Sequence, residues 1–257
     1  MAEAVVDTRP WADGPWALIE TPSLKSNTAS HEAIHIANEM AFAHNAMIRG
    51  LNTLYHQADL SETQDIADYL FFLRSWATWI NHHHISEEEK VFPEFEKVIG
   101  KPNFLHENIE EHHTFQPILQ QLLHYADTKP EDYQASTVRG LIEQMAPSFR
   151  EHLANEIPTL LNLASYDGPA LLKVWKRFEA EAGKQDKFVV PPMVLGLRDV
   201  TFEGGNNWPN MPPLATHIVH YILARKHAGA WRFLPSDAWG NPRPLKFATQ
   251  RADPVVE

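Results

Sequence analysis

The chain has 257 residues, 44% of them hydrophobic and 11% aromatic, which is enough for one large folded domain with a sizeable core. Its 22 Lys and Arg against 33 Asp and Glu leave a net charge of −11, and no Lys/Arg-rich run breaks the acidic background, so nucleic-acid or anionic-membrane surfaces are disfavoured. Zero cysteines exclude disulfides, thiolate metal sites and a cysteine nucleophile, whereas 15 histidines stand out.

In chain order, residues 1–29 are aperiodic, contain Pro and Trp, and read as an arm on the surface. They carry no apolar core like that of a signal peptide, and no apolar run reaches spanning length, so a soluble cytoplasmic protein is expected. Four long helical patterns follow, over about 30–57, 61–92, 103–126 and 128–163. The second opens on "SETQ" and the fourth on "TKPE", both of capping-box form, and Pro147 and Pro158 are expected to kink or end parts of the fourth. The short loops predict antiparallel neighbours. A fifth helix runs from Asp167, its N-cap, to Gly183. From residue 188 onward, Pro and Gly predict mostly loop, with one amphipathic helix over about 214–227. The aromatic end is too apolar for a free tail, and the region 166–257 is expected to pack on a bundle formed by residues 30–165.

Helical periodicity places several histidines inward. His44 lies amid the apolar face of Met40, Met47, Ile48 and Leu51. His112 falls within the arc of Phe115, Leu119 and Leu122, and His152 and Glu156 lie on or beside the face of Met145, Phe149 and Leu160. In "HHHISEEE", the pairs His83/Glu87 and His84/Glu88 each share one face, and the apolar stripe falls between the two. Periodicity excludes His82 and Glu89 from the core but leaves the choice between the pairs open. A lone inward histidine is ordinarily a hydrogen-bonded core residue, and His-x-x-x-Glu also occurs at His35/Glu39 and His106/Glu110, which read as solvated. The spacing adds weight. His44 precedes His83 by 39 residues and His112 precedes His152 by 40, so a helix pair offering one lone His and one His-x-x-x-Glu occurs twice. Such a set of imidazoles and carboxylates cannot be buried without a strong partner. A pair of metal ions satisfies it; imidazole and carboxylate suit Fe, Mn or Zn.

With these residues, the sequence resembles the hemerythrin-like HHE cation-binding family. The matching strings are "AFAHNAMIRGL", "HHISEEEKVFP", "EEHHTFQPIL" and "EHLANEIPTLL", all in the family's order. The resemblance covers about residues 30–165 and implies an all-α, up-down four-helix bundle, here with an extra helix and a largely irregular C-terminal extension. It implies a non-haem di-iron site with His44, His83, Glu87, His112, His152 and Glu156 as ligands, with His84 behind them or as an extra ligand and Glu88 at most behind them. Two departures stand against simple reversible oxygen carriage. Asn108 occupies the position of a further histidine in the oxygen carriers, and Glu156 stands where they have Asp. The expected partner is dioxygen or a small-molecule ligand, at a site that binds oxygen, stores or senses iron, or responds to redox state. The alternative is a metal-dependent enzyme, oxidative or hydrolytic, acting on a small organic molecule, with the extension walling its pocket.

Overall fold

The computed structural model describes residues 11–22 and 32–248; of the arm expected over 1–29, residues 1–10 and 23–29 lie outside that description, as does the end of the chain after 248. Among the described residues eight α-helices follow in order: α1 Glu32–His56, α2 Thr63–Ser86, α3 Phe92–Ile99, α4 His106–Tyr125, α5 Ala135–Leu161, α6 Gly168–Ala182, α7 Val190–Leu197 and α8 Pro213–Tyr221. No strand forms among the described residues. Helices α1, α2, α4 and α5 make the bundle: α1 packs on α2 and α5, and α4 packs on the same two. The core between them is continuous, with Met40, Met47, Phe72, Trp76, Phe115, Met145 and Phe149 fully buried.

The boundaries differ from the sequence reading where local chemistry intervenes. Helix α2 does not stop near residue 92 but continues through a π-helical turn, Glu87–Val91, into α3. Pro93 has no N–H to return to the carbonyl of Glu89, and the ladder widens, with the N–H of Phe92 reaching the Glu87 carbonyl. The Gly100 backbone, at φ 66°, then closes α3. Neither expected capping box caps its helix. Glu62 precedes α2 without a side-chain bond, and "TKPE" forms a 3-10 turn, Pro130–Asp132, before α5 begins at Ala135. The chain runs extended at Tyr133, which drops its ring into the core and donates its hydroxyl to the Ala58 carbonyl at 2.7 Å. Pro147 and Pro158 lie inside α5 without ending it. Asp167 does cap α6, accepting from the Ala170 N–H at 3.0 Å.

The region after 188 holds more helix than its prolines suggest. Pro191 and Pro192 sit in the first turn of α7, where a missing N–H costs nothing, so they start a helix instead of breaking one. The helix expected over 214–227 divides into α8 and a 3-10 stretch, Leu223–His227. This extension packs on the outer face of α1 and the first half of α2: Phe233 meets Tyr69 and Phe72, Trp231 meets Phe71, and Trp208 stacks on Phe42. Two side-chain amides of α1 and one just past its end bind these segments. Asn45 exchanges two bonds with the backbone of Ile19, Asn52 bonds Ala12 and Trp16, and Gln57 bonds Phe233 and Phe247.

Candidate metal centre

All six side chains singled out by the sequence lie in the interior of the bundle, each at most 8% exposed. Helix α1 supplies His44, the end of α2 supplies His83, the π turn supplies Glu87, α4 supplies His112, and α5 supplies His152 and Glu156. His84 joins them, 4% exposed. Two groups result whose donor atoms lie within 4.8 Å of one another: His44, His83 and Glu87, and His84, His112 and His152. Members of both pairs, 83/87 and 84/88, turn toward this interior. Neighbouring residues on a helix point about 100° apart, so His83 turns to one group and His84 to the other, with ring centroids 5.2 Å apart. His82 is half-buried outside both groups, and Glu89 is exposed. Of the pairs read as solvated, His106 and Glu110 are exposed, but Glu39 is half-buried, because α6 lies over it.

The carboxylates tie the groups together. Glu87 lies 2.8 Å from His83 Nε2 through one oxygen and 3.7 Å from His112 Nε2 through the other. Glu156 Oε2 lies 3.3 Å from His44 Nε2 and 4.0 Å from His152 Nε2. Each carboxylate therefore faces an imidazole of both groups.

The outer ring nitrogens fix the tautomers. His44 Nδ1 lies 2.8 Å from the Leu153 carbonyl, which can only accept, so this nitrogen carries the hydrogen. His112 Nδ1 donates to Glu88 Oε1 at 2.7 Å, and His152 Nδ1 donates to Glu111 Oε2 at 3.1 Å. Each Nε2 lone pair is left facing inward, and those of His112 and His152 meet at 3.1 Å. Two lone pairs at that distance repel unless a cation or proton stands with them. His44 Nε2, both nitrogens of His84, His83 Nε2 and all four oxygens of Glu87 and Glu156 are buried without a hydrogen-bond partner among the described residues. Burial holds His83 at about 4 and pushes His84 and His152 well below the usual imidazole range, which keeps them neutral and able to donate lone pairs. Burial, reinforced by Glu156, drives Glu87 well up. A donor set this costly to bury fits metal cations: neutral imidazoles, shared carboxylates and carboxylates behind two of the imidazoles.

Sequence reasoning left His84 as an extra ligand or a residue behind the ligands, and gave Glu111 no role. The signal for Glu111 was present in "EEHH", where it directly precedes His112, but its partner is His152 on another helix. Four surface cavities among the described residues are lined by no residue of either group; His82 stands in the wall of one of them, between α2 and the 181–190 segment. Phe178 of α6 packs on His83 at 6.1 Å, so α6 rather than the C-terminal extension lies over this part of the bundle. Among the described residues no helix is long and apolar enough to cross a membrane.

Comparison with known proteins agrees with this geometry. The profile of the hemerythrin HHE cation binding domain matches residues 35–164. The whole chain, extension included, is similar to the "Dimeric xanthone biosynthesis cluster protein R11" of Cryptosporiopsis sp. (strain 8999), at 36% identity over 261 residues, covering 98% of this chain and 99% of the relative. No solved structure matches. A bundle that gathers one three-histidine group and one His/Glu group, in a chain matched over half its length by the domain profile, makes the chain a member of the hemerythrin HHE cation-binding family.

Proposed function

We propose that the chain holds two metal ions, iron in the first instance and Mn or Zn as the alternatives, and that its iron form handles dioxygen in the cytoplasm. The observation that supports this most directly is the meeting of the His112 and His152 lone pairs at 3.1 Å, with both outer hydrogens already committed to Glu88 and Glu111. His44, His83 and Glu87 would hold one ion, and His84, His112 and His152 the other, with Glu87 and Glu156 facing both groups. In this reading His84, from α2, supplies the imidazole that Asn108, one turn before His112, does not. When bound, such a pair of irons supplies one-electron steps toward dioxygen.

The protein's own groups do the rest. The Leu153 carbonyl, Glu88 and Glu111 hold the Nδ1 hydrogens of His44, His112 and His152, fixing each ring and keeping Nε2 free to donate. Phe92, Phe115 and Phe149 are at most 1% exposed around the rings and exclude water. Glu88 and Glu111, 26% and 29% exposed, carry the only solvent-facing carboxylates bonded to these rings among the described residues, so protons reach the outer nitrogens through them.

A second reading, oxidation of a small organic compound, is favoured by one observation. The relative that matches along its full length, extension included, is named for a dimeric xanthone biosynthesis cluster, which points to an aromatic substrate here.

Metal analysis and an optical spectrum, recorded anaerobically and after admitting oxygen, test the first reading. Two irons per chain and an oxygen-dependent spectrum are expected, with metal lost in His84→Ala and kept in His82→Ala. A reproducible absence of metal after anaerobic iron loading ends it. Oxygen uptake that depends on an added phenolic compound would select the second reading.

A further inference from the structure

A second cavity, of about 280 Å³, lies within the C-terminal extension, between α7, α8 and the turns that follow. It belongs to neither metal group. Arg232 in its wall is tethered to Asp65 and Asp68 in the first turns of α2, and His83 stands 15 residues beyond Asp68, roughly 22 Å along the helix.

Its walls are cationic in a chain of net charge −11. Three guanidiniums and His220 line it against a single carboxylate, that of Asp237. Arg232 is neutralised by its two aspartates, at 2.7 and 2.6 Å. Asp237 is occupied as well, accepting from the backbone N–H groups of Trp239 at 2.8 Å and Asn241 at 3.0 Å. Arg243 is different. It is half-buried and gives Nε to the Leu234 carbonyl at 2.9 Å and Nη2 to the Trp231 carbonyl at 2.7 Å, and it makes no ion pair among the described residues. Burial lowers its basicity, and only the charge of Asp237, beyond ion-pair distance, opposes that. A half-buried guanidinium without a counter-ion calls for an anion. Arg225, exposed at the same cavity, makes no ion pair among the described residues either.

Two further groups in the wall need partners. Trp231 Nε1 and Ser236 Oγ are both buried, and neither has a hydrogen bond among the described residues. The remaining lining is apolar, from Pro192, Val219 and Leu234. Bare phosphate would match the charge and leave those walls uncovered. An organic acid matches both, and the volume, at the lower edge of the about 300–1,000 Å³ typical of ligand pockets, suits a single ring. We propose that this cavity is a binding site for a small organic carboxylate, its carboxylate on Arg243 and Arg225 and its apolar body against Trp231, Val219 and Leu234.

The test is calorimetric titration of the full-length, metal-loaded protein with benzoate, with uncharged benzamide and with inorganic phosphate. Saturable one-to-one binding of benzoate is expected, with benzamide and phosphate each at least tenfold weaker. Ala224→Phe, which fills the cavity from a half-buried position, should weaken benzoate at least tenfold, and Arg225→Ala about threefold. Arg243→Met should act like Ala224→Phe; if it fails to fold, because two carbonyls lose their donor, the Ala224 variant decides. Absence of benzoate binding, equal affinity for benzamide or phosphate, or binding that survives Ala224→Phe, as at the metal site, overturns the proposal.

Discussion

His44 and Asn45 are neighbours on α1, both essentially without solvent exposure, and they show two ways of burying a polar side chain. Asn45 turns outward from the bundle centre and is completed by the chain itself: its oxygen accepts from Ile19 N–H at 2.7 Å, and its nitrogen donates to the Ile19 carbonyl at 2.8 Å. Asn52 on α1 and Gln57 just past its end continue the pattern, so this edge serves as a backbone partner for the segments packed beside it. His44 turns inward and is completed on one side only, by the Leu153 carbonyl, leaving Nε2 beside a carboxylate. Burial alone does not mark a functional group. What separates the two regions is that one closes its hydrogen bonds within the chain and the other leaves a converging set of donors for an added cation.

If that distinction holds, metal should be the largest lever on stability. Binding at a thousandfold excess over Kd adds about 4 kcal/mol, and for a chain of this size each kcal/mol moves Tm by about 2–4 °C. Calorimetry of metal-loaded and chelator-stripped protein should therefore differ by roughly 8–16 °C; equal melting temperatures would collapse the contrast between the two regions. Next comes Asn52→Ala, which strips the partners from Ala12 and Trp16 in the closed region. A loss of about 3 kcal/mol in denaturant unfolding is expected, with metal content unchanged. His44→Ala should do the reverse, losing metal while, in the stripped state, costing less than Asn52→Ala.

Gly50 lies between the two regions. A Cβ there would stand 2.3 Å from the ring of Trp76, whose Nε1 donates to the Met47 carbonyl at 3.0 Å. Gly50→Ala should cost about 1–3 kcal/mol by overpacking, visible in Tm and without effect on metal stoichiometry.

The smallest effect concerns Glu39, which neither region completes. Burial, with the charge of Glu179, raises its carboxyl from the ordinary 4.5 to about 7. Because the folded state binds this proton more tightly than the unfolded chain, the associated stability is full below pH 4.5 and is lost as pH rises through about 7. Half-burial keeps the effect to about 1 kcal/mol. Unfolding titrations across that window should slope downward with pH more steeply in the native chain than in Glu39→Gln; identical slopes would show that Glu39 is solvated in the manner of Glu110.

The sequence by itself determined the four helices and the inward faces on which His44, His112, His152 and Glu156 lie, because a 3.6-residue period assigns each residue to one side of its own helix whatever the neighbours are. It determined the recurrence of His and His-x-x-x-Glu, since spacing along a chain needs no partner to be counted. Tertiary structure decided the rest. His84 reaches the second group because α4 and α5 bring His112 and His152 to its side of α2, with ring centroids 4.5 and 5.2 Å away. Glu111 bonds a histidine 41 residues later on another helix. The prolines of α7 begin a helix because the chain enters it there, whereas the same residue type was read as a breaker. Local period says which way a side chain points; only the packing of helix on helix says what it meets, and at this site the chemistry lies in those meetings.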